Sequence, residues 1–144
     1  MTITNTTANR FKYGCMKKEV DCSTDEFKIA LMKTTFTFDN STHNKWSDVS
    51  GEEISSGNGY TTGGQVLTSG ELVQDNANNR ARVYFSGENL WTAVDGAIED
   101  TDCAVIYVNS HADKILAGHS DFGETRSMDV GLSLRLRAIA LNLN

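Results

Sequence analysis

The chain has 144 residues, with 39% hydrophobic and 22% charged side chains, no proline and a formal net charge of −6. A chain of this length buries about 70% of the surface that its unfolded form exposes, so its folding requires neither a metal nor a disulfide. The 13 basic residues are scattered among 19 acidic ones, which leaves no cationic patch for phosphates and sets nucleic acid aside as a partner; no apolar run approaches the ~18 residues of a membrane span, so no membrane partner is expected either.

Residues 1–9 (MTITNTTAN) are polar, lack the apolar stretch of a secretion signal, and read as an extended N-terminal arm that either frays or becomes ordered on a neighbouring subunit. Residues 10–144 are expected to form one domain. Phe11, Tyr13 and Cys15 alternate with Lys12 and Gly14, a weak strand signal, and a helical turn is expected over 16–20. Phe27–Lys33 is a clear strand, and alternation of Phe36 with Phe38 extends it to 38. The polar segment 39–64 is long for a connection, and such segments carry a role or short helical structure. Ser41/Thr42 are expected to cap a short helix through Trp46, and Ser50 with Glu53 has capping-box spacing.

Short strands are expected at 65–69 and 71–74, and the run Asp75-Asn76-Ala77-Asn78-Asn79 marks a turn. Arg80–Ser86 alternates as a half-buried strand, with Ala81, Val83 and Phe85 inside and Arg80, Arg82 and Tyr84 outside. Leu90–Val94 follows. Cys103–Val108 (CAVIYV) is apolar on both faces and reads as a central strand covered on both sides. A hairpin then leads into Lys114–Gly118. Over 131–143 the apolar phase of Leu132, Leu134 and Leu136 shifts by one residue to Ile139, Leu141 and Leu143, which a β-bulge at Arg137-Ala138 accommodates. Eight or nine short strands with frequent turns predict an all-β chain: an antiparallel β-sandwich or jelly-roll with one or two short helical turns.

No constellation of catalytic chemistry stands out. His43, His111 and His119 read as loop histidines, the last two approaching across a hairpin end, with no third ligand at metal spacing. Glu99–Asp102 and Asp75–Asn79 offer oxygens, but neither has the spacing of a calcium loop, so both read as solvated turns. There is no G-x-S-x-G, and the glycines from Gly57 to Gly64 make neither a phosphate loop nor a dinucleotide fingerprint. The chain is expected to be no enzyme and to need no metal or cofactor. Three cysteines leave at least one thiol unpaired; Cys15 and Cys22 either pair or remain reduced. Trp46, Tyr60, Tyr84 and Trp91 serve either as a sugar-stacking platform or in packing.

Two segments resemble a family of small structural proteins of tailed phages. One is Phe27–Leu67, with the FKIALM strand, TFTFD, W-x-D-V-S at Trp46–Ser50 and GNGYTTGG at Gly57–Gly64; the other is NRFKY at Asn9–Tyr13. A hairpin ending GHSDFG, Gly118–Gly123, is similar to a G-x-x-D-F-G segment of the family. The Cys15–Cys22 stretch has no counterpart in the pattern. The resemblance implies a virion protein, made in the host cytoplasm, that binds the capsid exterior and cements adjacent major capsid proteins. Its expected partners are the major capsid protein and further copies of itself. The alternative is a tail, collar or fibre component that binds a host glycan or receptor. Thr2, Ile3, Thr4, Phe11, Trp46 and Tyr60 are the candidate interaction residues, with Trp46, Tyr60 and the Gly57–Gly64 loop forming the platform in the alternative.

Overall fold

The computed structural model describes residues 3–144. Ten strands and one helix run in the order β1 (Thr4–Thr7), α1 (Asn9–Met16), β2 (Phe27–Lys33), β3 (Gln65–Val66), β4 (Gly70–Asp75), β5 (Arg80–Phe85), β6 (Asn89–Thr92), β7 (Ile98–Val108), β8 (Leu116–Met128), β9 (Ser133–Leu136) and β10 (Ile139–Leu143). All pairings are antiparallel. They build a five-stranded sheet, β1-β8-β7-β2-β3, a three-stranded sheet, β10-β5-β4, and a two-stranded ribbon, β6-β9. The chain is an all-β sandwich with a few short helical turns.

The two larger sheets meet through large apolar side chains. Phe27 of β2 packs against Phe85 of β5 with ring centroids 5.4 Å apart, and Leu141 of β10 reaches so close to Gly118 of β8 that a Cβ there would stand 2.6 Å from it. The run Cys103–Val108 lies in the middle of the five-stranded sheet, between β2 and β8, and is buried throughout. It is apolar on both faces because both faces are covered. The inner face looks onto the three-stranded sheet; the outer face lies under the long segment 34–64.

That segment is a cover stitched to the sheet by its backbone. The Trp46 N–H donates to the Lys114 carbonyl (2.9 Å), Leu116 N–H to Asn44 (3.0 Å), and Ile54 N–H to Leu31 (3.2 Å). Two short 3₁₀ turns, Trp46–Asp48 and Ser50–Glu52, take the place of the expected helices. Asp48 begins the first by accepting the Asn44 and Lys45 N–H groups, whereas the Asp39 carboxylate and carbonyl hold the turn at 39–43 that Ser41/Thr42 were expected to cap. Ser50 and Glu53 form no capping box, because the Glu53 carboxylate is engaged by Tyr60 and Gly63.

Several expectations are corrected. Asn9–Met16 is a helix, not a strand. Its buried residues, Phe11 and Gly14, stand three apart with Cys15 adjoining, which is helical spacing, and Ala8 just before the helix is buried as well. The extended arm is, over its described part, the edge strand β1. Thr4–Thr7 pair with Asp121–Gly118 of β8, the Thr7 hydroxyl accepts the Asn142 N–H (2.8 Å), and the Ser120 hydroxyl donates to Asn5 (2.6 Å). The strand at 27–33 ends in a turn at 34–35, so Phe36 and Phe38 sit in irregular chain. Glu99–Asp102 belong to β7, not to a turn. Gly118–Gly123 lie within the 13-residue strand β8, not at a hairpin end.

The phase shift near the C-terminus has a larger cause than a bulge. β9 and β10 belong to different sheets, and Ala138 between them takes a left-handed conformation (φ 59°). The chain crosses from ribbon to sheet there, so Leu134 and Leu136, then Ile139 and Leu141, are all buried.

Candidate interaction surface

The six residues singled out in the sequence are dispersed. Thr2 lies outside the described residues. Ile3 is half-buried against the core, and Thr4 is exposed in β1 opposite Asp121. Phe11 is fully buried in the free protein, its ring set edge-on to Phe27 at 5.9 Å, so it is a core residue and not an exposed contact. Tyr60 is also buried. Its hydroxyl accepts the Leu31 N–H (3.0 Å) and donates to Glu53 (2.7 Å), completing the edge of β2 where the two-residue strand β3 stops. Burial and the hydrogen bond to Glu53 push its phenol well above the usual value. Trp46 is half-buried and stacks on Tyr107 (4.5 Å, 18°), while Tyr60 leans toward buried Trp91. Trp46 and Tyr60 therefore share no open stacking face. The Gly57–Gly64 loop is exposed at Gly57–Gly59 and at Thr61 and Thr62, but its far end is held to the sheet: Gly63 bonds Glu53 and Tyr107, and Gly64 (φ 78°) lies against the Ile29 carbonyl.

The histidines are arranged differently from expectation. His119, in β8, stacks on Phe38 (5.3 Å, 10°), and His43 stacks on Phe36 (5.6 Å, 21°), so 43 and 119, not 111 and 119, share an aromatic cluster. A hollow of about 360 Å³ opens beside His119 and carries the carboxylates of Asp102 and Asp121. Burial lowers the His119 pKa, opposed by those two carboxylates. Burial and a hydrogen bond to Asp102 raise the pKa of the neighbouring Cys103 thiol. Among the described residues no group of three or more His, Cys, Asp or Glu side chains is placed to hold a metal ion.

The most open apolar feature lies elsewhere, on the three-stranded sheet. Its inner-face side chains form rows across β4, β5 and β10: Gly70, Phe85 and Ile139; then Leu72, Val83 and Leu141; then Gln74, Ala81 and Leu143. The five-stranded sheet and α1 cover only the β5-β10 part of the first two rows, burying Phe85, Ile139, Val83 and Leu141. They leave Leu72 and the third row under-covered, and this is why Ala81, expected inside, is exposed. The result is a groove of about 480 Å³ walled by Leu72, Ala81, Val83 and Leu143 on the sheet and by Phe11 and Cys22 opposite. It runs on past Cys15 and Val20 toward Met16. Its rim exposes 58% of Leu72 and 85% of Met16.

β4 forms one side of this groove and ends its sheet. Among the described residues no strand pairs with its outer edge, so the backbone donors and acceptors of alternate residues along this six-residue strand have no strand partner beside exposed Leu72. In the larger sheets the edge strand β3 has only two residues, and β1 and β10 are tied to each other through Thr7 and Asn142. Sequence reading identified β4 as a strand but not as an edge. Only the sheet order reveals that, and the one local sign was Leu72 beside Glu71 and Gln74 in a strand with no second apolar face.

No helix among the described residues is long and apolar enough to cross a membrane. No family model matches the chain, and no curated protein or solved structure matches it.

Proposed function

We propose that this chain is a structural protein of a tailed-phage virion that binds the capsid exterior and cements adjacent major capsid proteins, without catalytic chemistry. The observation that carries the reading is the open edge of β4 beside an apolar groove. An extended segment of a partner that adds to β4 would satisfy its free backbone groups, and alternate side chains of that segment would enter the groove beside Leu72. The all-β fold, the net charge of −6 and the resemblance of the Phe27–Leu67 segment support the same reading. An acidic surface keeps a high-copy shell protein off nucleic acid.

The geometry favours accepting a strand over donating one. Donation of the N-terminal arm would release four rungs between β1 and β8, the Ala8 N–H to Ala117 bond (2.9 Å) and the Thr7–Asn142 bond. Accepting a capsid arm on β4 breaks nothing. Many symmetric copies, each making one modest contact, would add to the work needed to rupture a pressurised shell.

Cryo-electron microscopy of purified virions tests this. Density for the chain in symmetric copies on the head, with a capsid strand against β4, is the expected result. A Leu72→Asp variant should fold normally, since the side chain is exposed, and should lose head occupancy. Density confined to tail or collar would replace this reading with attachment to a host surface, and absence from the particle would end both.

A further inference from the structure

The turn that follows α1 brings two thiols together. Lys18 adopts a left-handed conformation (φ 62°), the Lys18 N–H donates to the Cys15 carbonyl (3.2 Å) and the Glu19 N–H to the Gly14 carbonyl (2.8 Å). Such a turn ends a helix and folds the chain back over its last residues. Two contacts then fix the returning segment. Glu19 pairs with Arg10 at 2.6 Å, and Val20 packs over Gly14, where a Cβ would stand 3.3 Å from Val20 Cγ2. Cys15 follows Gly14 on the helix, and Cys22 lies two residues beyond Val20 on the returning chain, so the packing that seats Val20 also carries Cys22 to Cys15.

Both side chains are free thiols, half-buried, and they line the same stretch of the groove wall together with Val20. The backbone beyond them is also held. The Asp21 N–H donates to the Asp25 carboxylate (2.7 Å), and the Ser23 N–H donates to the Asp21 carboxylate (2.9 Å). Cys103 lies apart in β7, buried, on the outer face of the five-stranded sheet.

We propose that Cys15 and Cys22 are a redox-active dithiol that closes to an intramolecular disulfide by exchange with a low-molecular-weight disulfide. Cys15 is the attacking sulfur. It lines the groove where it opens toward Met16, whereas Cys22 lies further in beside Phe11, and the neighbouring Cys22 thiol lowers the Cys15 pKa. The Cys15 thiolate attacks one sulfur of the small disulfide, forming a mixed disulfide and expelling one small thiolate, which takes up the proton Cys15 has lost. Cys22 gives up its proton and attacks the Cys15 sulfur. The mixed disulfide breaks, the protein disulfide forms, and a second small thiol leaves. Two electrons pass from the protein sulfurs to the small disulfide, which is reduced to two thiols. The bond locks the 17–22 turn onto α1 and fixes one wall of the groove. This inference is independent of any capsid role, because it rests only on the α1 turn.

The test uses the whole folded protein, oxidised glutathione, and mass spectrometry. The expected product has lost two hydrogens and, after unfolding, shows one titratable thiol in place of three. Trypsin cleavage at Lys12, Lys17, Lys18 and Lys28 should then release residues 13–17 linked to residues 19–28. In Cys22→Ser the second step is blocked, so Cys15 should retain one glutathionyl group. Three thiols remaining after unfolding, or a wild-type protein that stops at the glutathione adduct, would overturn the proposal. Both outcomes are read on the wild-type chain, so they do not depend on the variant folding.

Discussion

Tyr60→Phe removes one oxygen from a buried network and nothing else. The Leu31 N–H, fully buried in β2, loses its only acceptor, 3.0 Å away. An orphaned buried donor costs about 1–3 kcal/mol. Glu53 loses its 2.7 Å donor but keeps the Gly63 N–H at 2.8 Å, and it is only half-buried, so about 1 kcal/mol is added. The phenyl ring keeps its contact with Trp91, so no cavity contribution enters. The sum is about 2–4 kcal/mol, or about 6–15 °C in Tm for a chain of this size. Urea unfolding monitored by tryptophan fluorescence reads it directly, with the slope m unchanged. A loss under about 0.5 kcal/mol would refute the reasoning and return Tyr60 to the role of an exposed contact residue.

Gly64→Ala should be worse than Tyr60→Phe. Its φ of 78° is strained for alanine, and the new Cβ would overlap the Ile29 carbonyl, so a loss above about 3 kcal/mol or failure to fold is expected, read by the same unfolding curve. Ala138→Gly relieves a left-handed alanine (φ 59°) between β9 and β10 and should stabilise by about 0.5–1 kcal/mol in thermal melts. His119 supplies a pH dependence. Its folded pKa lies below the ordinary 6.5, so the unfolded chain binds the proton first; stability is intact above about 6.5 and falls as the pH drops from there toward the folded value. His119→Phe should flatten the stability profile over that window, and an unchanged slope would show that His119 does not set it.

The strands most legible in the sequence are those whose side chains declare their burial: β5 by alternation, and β2 and Cys103–Val108 of β7 by continuous apolar runs. Cys103–Val108 was legible as doubly covered because no alternation was left in it, although what covers it was not. Helix α1 was misread because Phe11, Tyr13 and Cys15 satisfy a period of two, while the period that wins, Ala8–Phe11–Gly14/Cys15, depends on a glycine counting as buried. Gly14 is buried under Val20, Arg10 and Ile115, and the left-handed turn at Lys18 is what folds Val20 back over it. The lengths of β7 and β8 were underestimated because polar residues from Glu99 to Asp102 and from Glu124 to Arg126 continue the ladder after the apolar core ends. There the hydrogen-bond ladder extends the strands, and hydropathy carries no signal of it.

The candidate site failed in the sequence for a related reason. Aromatic residues in a glycine-rich polar loop read as an exposed platform, yet that loop is the cover of a sheet whose outer face is apolar, and Trp46 and Tyr60 are the parts of it that reach down. The cover satisfies the face that the strand sequence made apolar; among the described residues nothing comparable covers the open end of the three-stranded sheet's inner face. There the third row of Gln74, Ala81 and Leu143 is weakly apolar, so leaving it open costs little in the free protein, whereas Leu72 at the edge is a full leucine left 58% exposed. A surface that is inexpensive to expose and gains when a strand arrives is what reversible strand addition requires. Its affinity would be set by how well the incoming side chain fits beside Leu72 and not by the area of the groove.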